Sequence, residues 1–196
     1  TMKKNWINSV FMEPVMGEGN PGIPVGPEFY NTVRTLTKKH NIPLVIDSIQ
    51  AGLRTTGFLS IADYPGINQF DPPDMEIFSK AIASGQYPLS ILAVSKTISD
   101  DFKTGLYGNT MTGNPKALEI GYETLIRIDS KLRKNIQEKG ILFKNMLTKI
   151  KEKYPDIATN VTGTGLLLAL HIKEKHQVVD EKGLEYKPYE TCVKEQ

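Results

Sequence analysis

Two ionisable residues stand where a sheet could deliver them to a ligand. Leu44-Val45-Ile46 is an apolar run that ends abruptly in Asp47, and Met75-Glu76-Ile77-Phe78 is a second run followed by Ser79 and Lys80. Short runs of this kind read as buried parallel strands. The C-terminal ends of such strands are where open α/β sheets bind ligands. A carboxylate and an amine on neighbouring strand ends suit a pyridoxal 5'-phosphate site, in which the lysine forms a Schiff base and the aspartate holds the pyridinium nitrogen. A lysine with a pKa near 10.4 is neutral in only about one molecule in 2,500 at pH 7. Lys80 therefore needs a Schiff base or desolvation to act as nucleophile and proton carrier. Asp47 would keep the ring nitrogen protonated, which an amide would not do. The simpler readings are a turn or cap for Asp47 and a surface position for Lys80. The apolar strand before Asp47 and the apolar Ala81-Ile82-Ala83 after Lys80 argue against both.

The elements that must position these residues follow from the pattern around them. Trp6–Met12 predicts a short strand closed by Glu13-Pro14. Gly17-Glu18-Gly19-Asn20-Pro21-Gly22 formally matches G-x-G-x-x-G. A dinucleotide fingerprint requires a helix that starts inside the motif and faces a pyrophosphate, and Pro21, Pro24 and Pro27 deny that continuity. A helix is predicted from Pro27 to His40, with Phe29, Val33 and Leu36 at i, i+4, i+7 spacing and Lys38, Lys39 and His40 in its last turn. Strand 44–47 follows, then the turn 51–57, a proline-bearing loop, strand 75–78, a tight turn over 81–88 and strand 89–94. Strands alternating with helices imply an α/β fold with a mostly parallel sheet.

After Asn114 the pattern becomes helical. Ala117 to Ile128 form one apolar series, and Asp129 or Ser130 would cap a second helix carrying Leu132, Ile136, Leu142, Met146, Leu147 and Ile150 toward a core. Its many lysines read as a solvated face. Thr162-Gly163-Thr164-Gly165 is predicted to turn into strand 166–170, and the tail 173–196 is charged with little periodicity.

Composition narrows the class of function. With 39% hydrophobic and 23% charged residues the 196-residue chain is of ordinary globular composition. A formal charge of +2 gives no argument for nucleic acid or an acidic membrane surface. One cysteine, Cys192, excludes an internal disulfide and fits a reducing, cytoplasmic compartment, with a mitochondrial one also open. His171 and His176 have no metal-like cluster around them.

Across residues 8–172 the chain resembles the class III pyridoxal-phosphate aminotransferases, the group that includes ornithine, acetylornithine and 4-aminobutyrate aminotransferases. The resemblance rests on Glu13-Pro14-Val15-Met16-Gly17-Glu18-Gly19, Asp47-Ser48-Ile49-Gln50-Ala51-Gly52, Ser79 to Gly85, Gly108-Asn109-Thr110 and Gly113-Asn114-Pro115, in the family's order. It implies a fold-type-I transferase: part of the large cofactor domain in 1–128 and the beginning of a small α+β domain in 129–196. It implies that Lys80 forms the Schiff base, Asp47 pairs with the pyridine nitrogen, Ile49 packs on the ring and Gln50 lies near its phenolic oxygen. Thr110 would bind the cofactor phosphate across the interface of a homodimer. Glu18 would help sort amino donors from dicarboxylate acceptors such as 2-oxoglutarate.

Three positions depart from the family pattern. Ser48 stands where a glutamate usually follows the aspartate, Arg54-Thr55 displaces an arginine by one place, and Thr162 stands where an arginine often precedes the later glycine. The implied reaction moves an amino group from an amino acid or amine to a 2-oxo acid. A decarboxylase, racemase or aminomutase of the same class, or a silent homologue kept for assembly, are the alternatives. Family members are much longer, so 1–196 is expected to be an excerpt or to need a complementary chain. The phosphate-cradling loop and a ring-stacking aromatic would then lie before residue 1.

Overall fold

The computed structural model describes residues 7–108, 110 and 112–173, so Trp6, Asn109, His176, Cys192 and the tail from 174 lie outside the described residues. The elements in chain order are β1 (Val10–Met12), α1 (Pro27–Lys39), β2 (Leu44–Asp47), β3 (Met75–Phe78), β4 (Ile91–Val94), α2 (Lys96–Asp101), α3 (Pro115–Leu125), α4 (Ser130–Lys153), β5 (Ala158–Thr164) and β6 (Leu167–Ile172). The first four strands form one sheet in the order β1-β2-β3-β4. β1, β2 and β3 run parallel, whereas β4 returns antiparallel to β3. The first strand is thus shorter than 6–12, and the sheet carries one reversed edge. β5 and β6 make a separate antiparallel pair. Thr162 to Thr164, expected as a turn, belong to β5, and the reversal falls at Gly165 and Leu166.

β2 is buried at Leu44, Val45 and Ile46, as a strand covered on both faces must be. It centres a core with Tyr30, Ile61, Tyr64 and Ile67. Helix α1 meets this core through Tyr30, Arg34 and Thr37, at the i, i+4, i+7 spacing of one face. Of the apolar face expected from the sequence, Val33 packs against this core, whereas Phe29 is 60% exposed and Leu36 is exposed as well. The polar face wins because all three side chains find a partner, although the buried Arg34 Nε bonds nothing among the described residues. The Tyr30 hydroxyl donates to the Asp71 carbonyl at 2.8 Å, Arg34 bonds Asp74, and Thr37 donates to the Arg34 carbonyl at 2.9 Å. Burial pushes the Tyr30 phenol up to about 12.

Asn114 caps α3 by accepting from the Lys116 and Ala117 amides, and Asp129 caps α4 by accepting from the Leu132 amide. Only Ile136 and Gly140 of α4 are buried, and Leu142, Met146 and Ile150 stand exposed instead of facing a core. The hairpin β5–β6 meets a single stripe of the helix. At Gly140 it comes so close that an added Cβ would lie 2.4 Å from the Gly165 Cα. Helix α2 was not foreseen; its cap Ser95 accepts from the Ile98 amide.

Candidate active site

Asp47 ends β2, and its Oδ1 accepts from the Ile49 amide at 3.0 Å, the local Asx turn that short carboxylates favour. Ser48 is buried behind it, with its amide on the Ile77 carbonyl at 3.0 Å and its carbonyl receiving the Gly52 amide at 2.8 Å. A Cβ at Gly52 would come within 2.7 Å of that carbonyl, so this turn requires glycine.

Lys80 follows β3 by two residues and starts the 3-10 turn Lys80–Ala83. Its φ is 47°, a left-handed conformation that costs a side-chain-bearing residue of the order of 1–2 kcal/mol. Ser79 pins the entry by donating to the Leu89 carbonyl at 2.6 Å, and buried Ile82 and Ala83 pin the exit. Among the described residues Lys80 makes no ion pair. Lys80 is itself exposed, so the apolar residues after it do not bury it as the sequence suggested; its left-handed backbone is the kind of outlier that clusters at functional sites.

The segment 13–25 folds back on itself, with Val15 bridging Pro24 and the Met16 amide bonding the Ile23 carbonyl at 2.9 Å. The G-x-G-x-x-G stretch is therefore a hairpin-like loop whose following helix begins only at Pro27, as the prolines require. The loop brings Glu13 and Glu18 to the strand ends. Glu13 Oε2 accepts from the Gly17 amide at 2.9 Å, and Gln50 reaches Glu18 Oε1 at a long 3.4 Å.

Glu13, Glu18, Asp47, Ile49, Gln50 and Lys80 line one cavity of about 220 Å³. Five of the six site residues read from the sequence thus meet in one place. The sixth, Thr110, is exposed between α2 and α3 and does not line this cavity. Glu13 and Asp47 also border a larger apolar hollow of about 710 Å³ walled by Phe11, Met16, Ile23 and Phe29. Among the described residues no group of three or more His, Cys, Asp or Glu side chains is placed to hold a metal, and no helix is long and apolar enough to cross a membrane.

The three departures each have a local partner. The Ser48 hydroxyl donates to Glu76 Oε1 at 2.5 Å. Thr55 is buried with its hydroxyl 2.6 Å from that of Tyr64, and Arg54 is half-buried. The Thr162 hydroxyl donates to the Pro21 carbonyl at 2.7 Å and lies 2.7 Å from His171 Nε2. One hydroxyl has one proton, so His171 Nε2 carries the hydrogen of the second bond. Thr162 thereby ties the hairpin β5–β6 to the loop that carries Glu18.

Sequence reasoning passed over two residues. Glu13 was quoted only as part of a motif, and Glu76 only as part of a strand. The signal for Glu76 was present: a charge in the middle of an apolar strand must be paired if buried. It is 5% exposed and accepts from Ser48, Ser60 and the Ile61 amide. Burial holds its carboxyl above the ordinary range against the opposing pull of those donors.

Comparison with known proteins gives the family. The model of the family "Aminotransferase class-III" matches residues 1–191. The chain is 34% identical over 177 residues to the diaminobutyrate–2-oxoglutarate aminotransferase of Haemophilus influenzae, covering 89% of this chain and 37% of that one. An ornithine aminotransferase from Toxoplasma gondii, whose structure is described as showing partial occupancy of PLP at its active site, superposes with a TM-score of 0.74 at 29% identity over 89% of this chain and 39% of that one. Acetylornithine aminotransferase from Elizabethkingia anophelis superposes with a TM-score of 0.73 at 33% identity over 85% of this chain and 40% of that one. The chain spans about two fifths of the length of these relatives.

Proposed function

Since this chain belongs to the class-III aminotransferases, we propose that it contributes the Schiff-base half of an enzyme that moves an amino group from an amino acid or amine, ω-amino groups included, to a 2-oxo acid such as 2-oxoglutarate. The residues lining the small cavity fit pyridoxal 5'-phosphate by their chemistry. They offer one amine for an aldehyde, one carboxylate for a ring N–H, one amide for a phenolic oxygen and one aliphatic side chain for a ring face. When bound, the cofactor supplies the electron sink that lets a C–H bond beside the amino nitrogen ionise.

The chain's own residues do the rest. Lys80 offers a free amine on a strained, fixed backbone, and it would carry the proton between the two carbons that exchange it. Asp47, with one oxygen held by the Ile49 amide, would accept a ring N–H on the other and keep that proton in place. Ile49 would pack on the ring, and the Gln50 amide would donate to the phenolic oxygen. Glu18, in contact with Gln50, stands at the entrance where donor and acceptor acids must be told apart. A volume of about 220 Å³ lies below the ~300 Å³ typical of ligand pockets. It suits the ring end alone, and we assign the phosphate to Thr110 of a second subunit in a homodimer with shared sites. We take 1–128 as part of the large domain and 129–196 as the beginning of the small one, and place the protein in the cytoplasm.

The observation that carries this reading is Lys80, left-handed at φ 47° and unpaired among the described residues, in the same cavity as Asp47. The relatives reported above are named as aminotransferases, which favours amino transfer over decarboxylation or racemisation. The test is to add pyridoxal 5'-phosphate, reduce with borohydride and map the labelled peptide. Label on Lys80, and loss of colour with an amino donor, supports the reading; label on another lysine, or none, overturns it.

A further inference from the structure

The buried carboxylate that the chemistry above does not use is Glu76. In the register of the sheet Ile46 pairs with Glu76 and Asp47 with Ile77. Successive strand residues point to opposite faces, so Glu76 leaves the sheet on the side away from Asp47. There its Oε1 takes the Ser48 hydroxyl at 2.5 Å and the Ile61 amide at 3.0 Å, and its Oε2 takes the Ser60 hydroxyl at 2.6 Å.

Ser48 directly follows Asp47, and its backbone is held at both ends by Ile77 and Gly52. The hydroxyl bond to Glu76 is the third tie, and it fixes the residue from which the Ile49 amide turns back onto Asp47 Oδ1. Releasing it would leave Ser48 held by its two backbone bonds alone and loosen the turn that sets the Ile49 amide on the carboxylate. The Ser48 hydroxyl is already within 2.5 Å of Glu76 Oε1, so a side chain two carbons longer at 48 would set its own carboxylate in the same buried space.

We propose that Glu76 is the positioning residue of this site: from β3 it supplies the buried carboxylate that holds the turn carrying Asp47, the place a glutamate at 48 would fill from β2. The inference deepens the reading of Asp47 as partner of a pyridinium nitrogen and rests on that reading only in its second measurement.

The first measurement is amide hydrogen exchange on the cofactor-free protein and on Ser48→Ala, Glu76→Leu and the exchanged pair Ser48→Glu with Glu76→Ser. Both single variants should speed exchange at the Ile49 and Gly52 amides by about tenfold or more while Leu44 to Ile46 stay protected. The exchanged pair should return them to within about threefold of the starting protein. Unchanged Ile49 and Gly52 amides in Ser48→Ala overturn the proposal. So does equal loss across Leu44–Ile46, which marks a general packing role, or an exchanged pair no better protected than Glu76→Leu. The second measurement adds pyridoxal 5'-phosphate and follows the pH midpoint of its visible absorbance. Glu76→Leu should move that midpoint by about one pH unit, and the exchanged pair should bring it back. A loosened turn with an unmoved midpoint removes Glu76 from the site. If the starting protein takes up no cofactor, the proposed function fails while the exchange rates still decide the role of Glu76.

Discussion

Arg34 of α1 grips Asp74 in a bidentate pair at 2.6 and 3.1 Å, and the Asp74 oxygen nearest the arginine also accepts the Leu44 amide at 2.9 Å. One carboxylate thus joins the helix to the first residue of β2 and to the chain entering β3, the two strands that end in Asp47 and approach Lys80. The guanidinium is almost fully buried, so removing its partner leaves a charge uncompensated. Asp74→Asn should cost about 2 kcal/mol in urea unfolding. A loss below about 0.5 kcal/mol, the size of an ordinary surface change, would show that the pair does not organise the strands.

Stability should pass through a maximum in acid. Burial raises the Glu76 carboxyl above its ordinary 4.5. From there up to its folded value the unfolded chain binds fewer protons than the folded one, so stability falls as the pH rises. Asp74 and Asp71 act in the opposite sense. Burial works to raise Asp74, but the bonds from Arg34 and the Leu44 amide outweigh it, and the hydrogen bond from Lys38 lowers Asp71. Both carboxyls lie below 3.8, so their contribution is complete above that pH and is lost as the pH drops through their folded values. Glu76→Gln keeps an acceptor for Ser48 and Ile61 and can donate to Ser60, but it has no proton to titrate. It should flatten the decline above pH 4.5 while leaving the acid limb unchanged. Equal slopes for both proteins just above pH 4.5 would contradict the buried carboxylate.

Lys80→Ala should abolish covalent cofactor attachment while leaving the fold intact, because the side chain serves the cavity and not the core. Lys80→Gly should do the same but melt higher. Glycine adopts φ 47° without the penalty that alanine carries, a difference of about 1 kcal/mol. Borohydride fixation persisting in either variant would mean that another lysine is the attachment point. Equal melting of the two would mean that the left-handed strain is absent.

Asp47→Asn should still bind the cofactor covalently but slow proton abstraction by orders of magnitude, since an amide does not hold a ring N–H as a carboxylate does. Single-turnover absorbance with an amino donor measures this. A near-normal rate would remove Asp47 from the electron-sink role.

Gly22 has φ 84°, and a Cβ there would lie 2.7 Å from the Thr162 hydroxyl and from the Gly163 amide. Gly22→Ala should loosen the loop that carries Glu18 from the hairpin β5–β6, at a cost of about 1–3 kcal/mol. Proteolysis within 17–22 should quicken accordingly, and an unchanged cleavage rate would show that the contact holds nothing.

The sequence by itself determined the strand ends. An apolar run that stops at a carboxylate, or at a serine and a lysine, fixes where the chain leaves the sheet, because burial demands the run and water or a ligand must receive the charge. The same local logic placed α1, the cap Asp129, and the break between the glycine loop and its helix. Tertiary structure alone decided which polar groups share a face. Tyr30, Arg34 and Thr37 point inward over Phe29 and Leu36 because Asp71 and Asp74, more than thirty residues away, satisfy Tyr30 and Arg34. The exposed apolar residues of α4 likewise follow from which stripe the hairpin touches, a choice no helical period encodes. Ser48 and Glu76 are each ordinary in their own segment. Their meeting depends on the register of β2 against β3, and only that register turns a departure at one position and a charge in another strand into a single buried hydrogen-bonded pair.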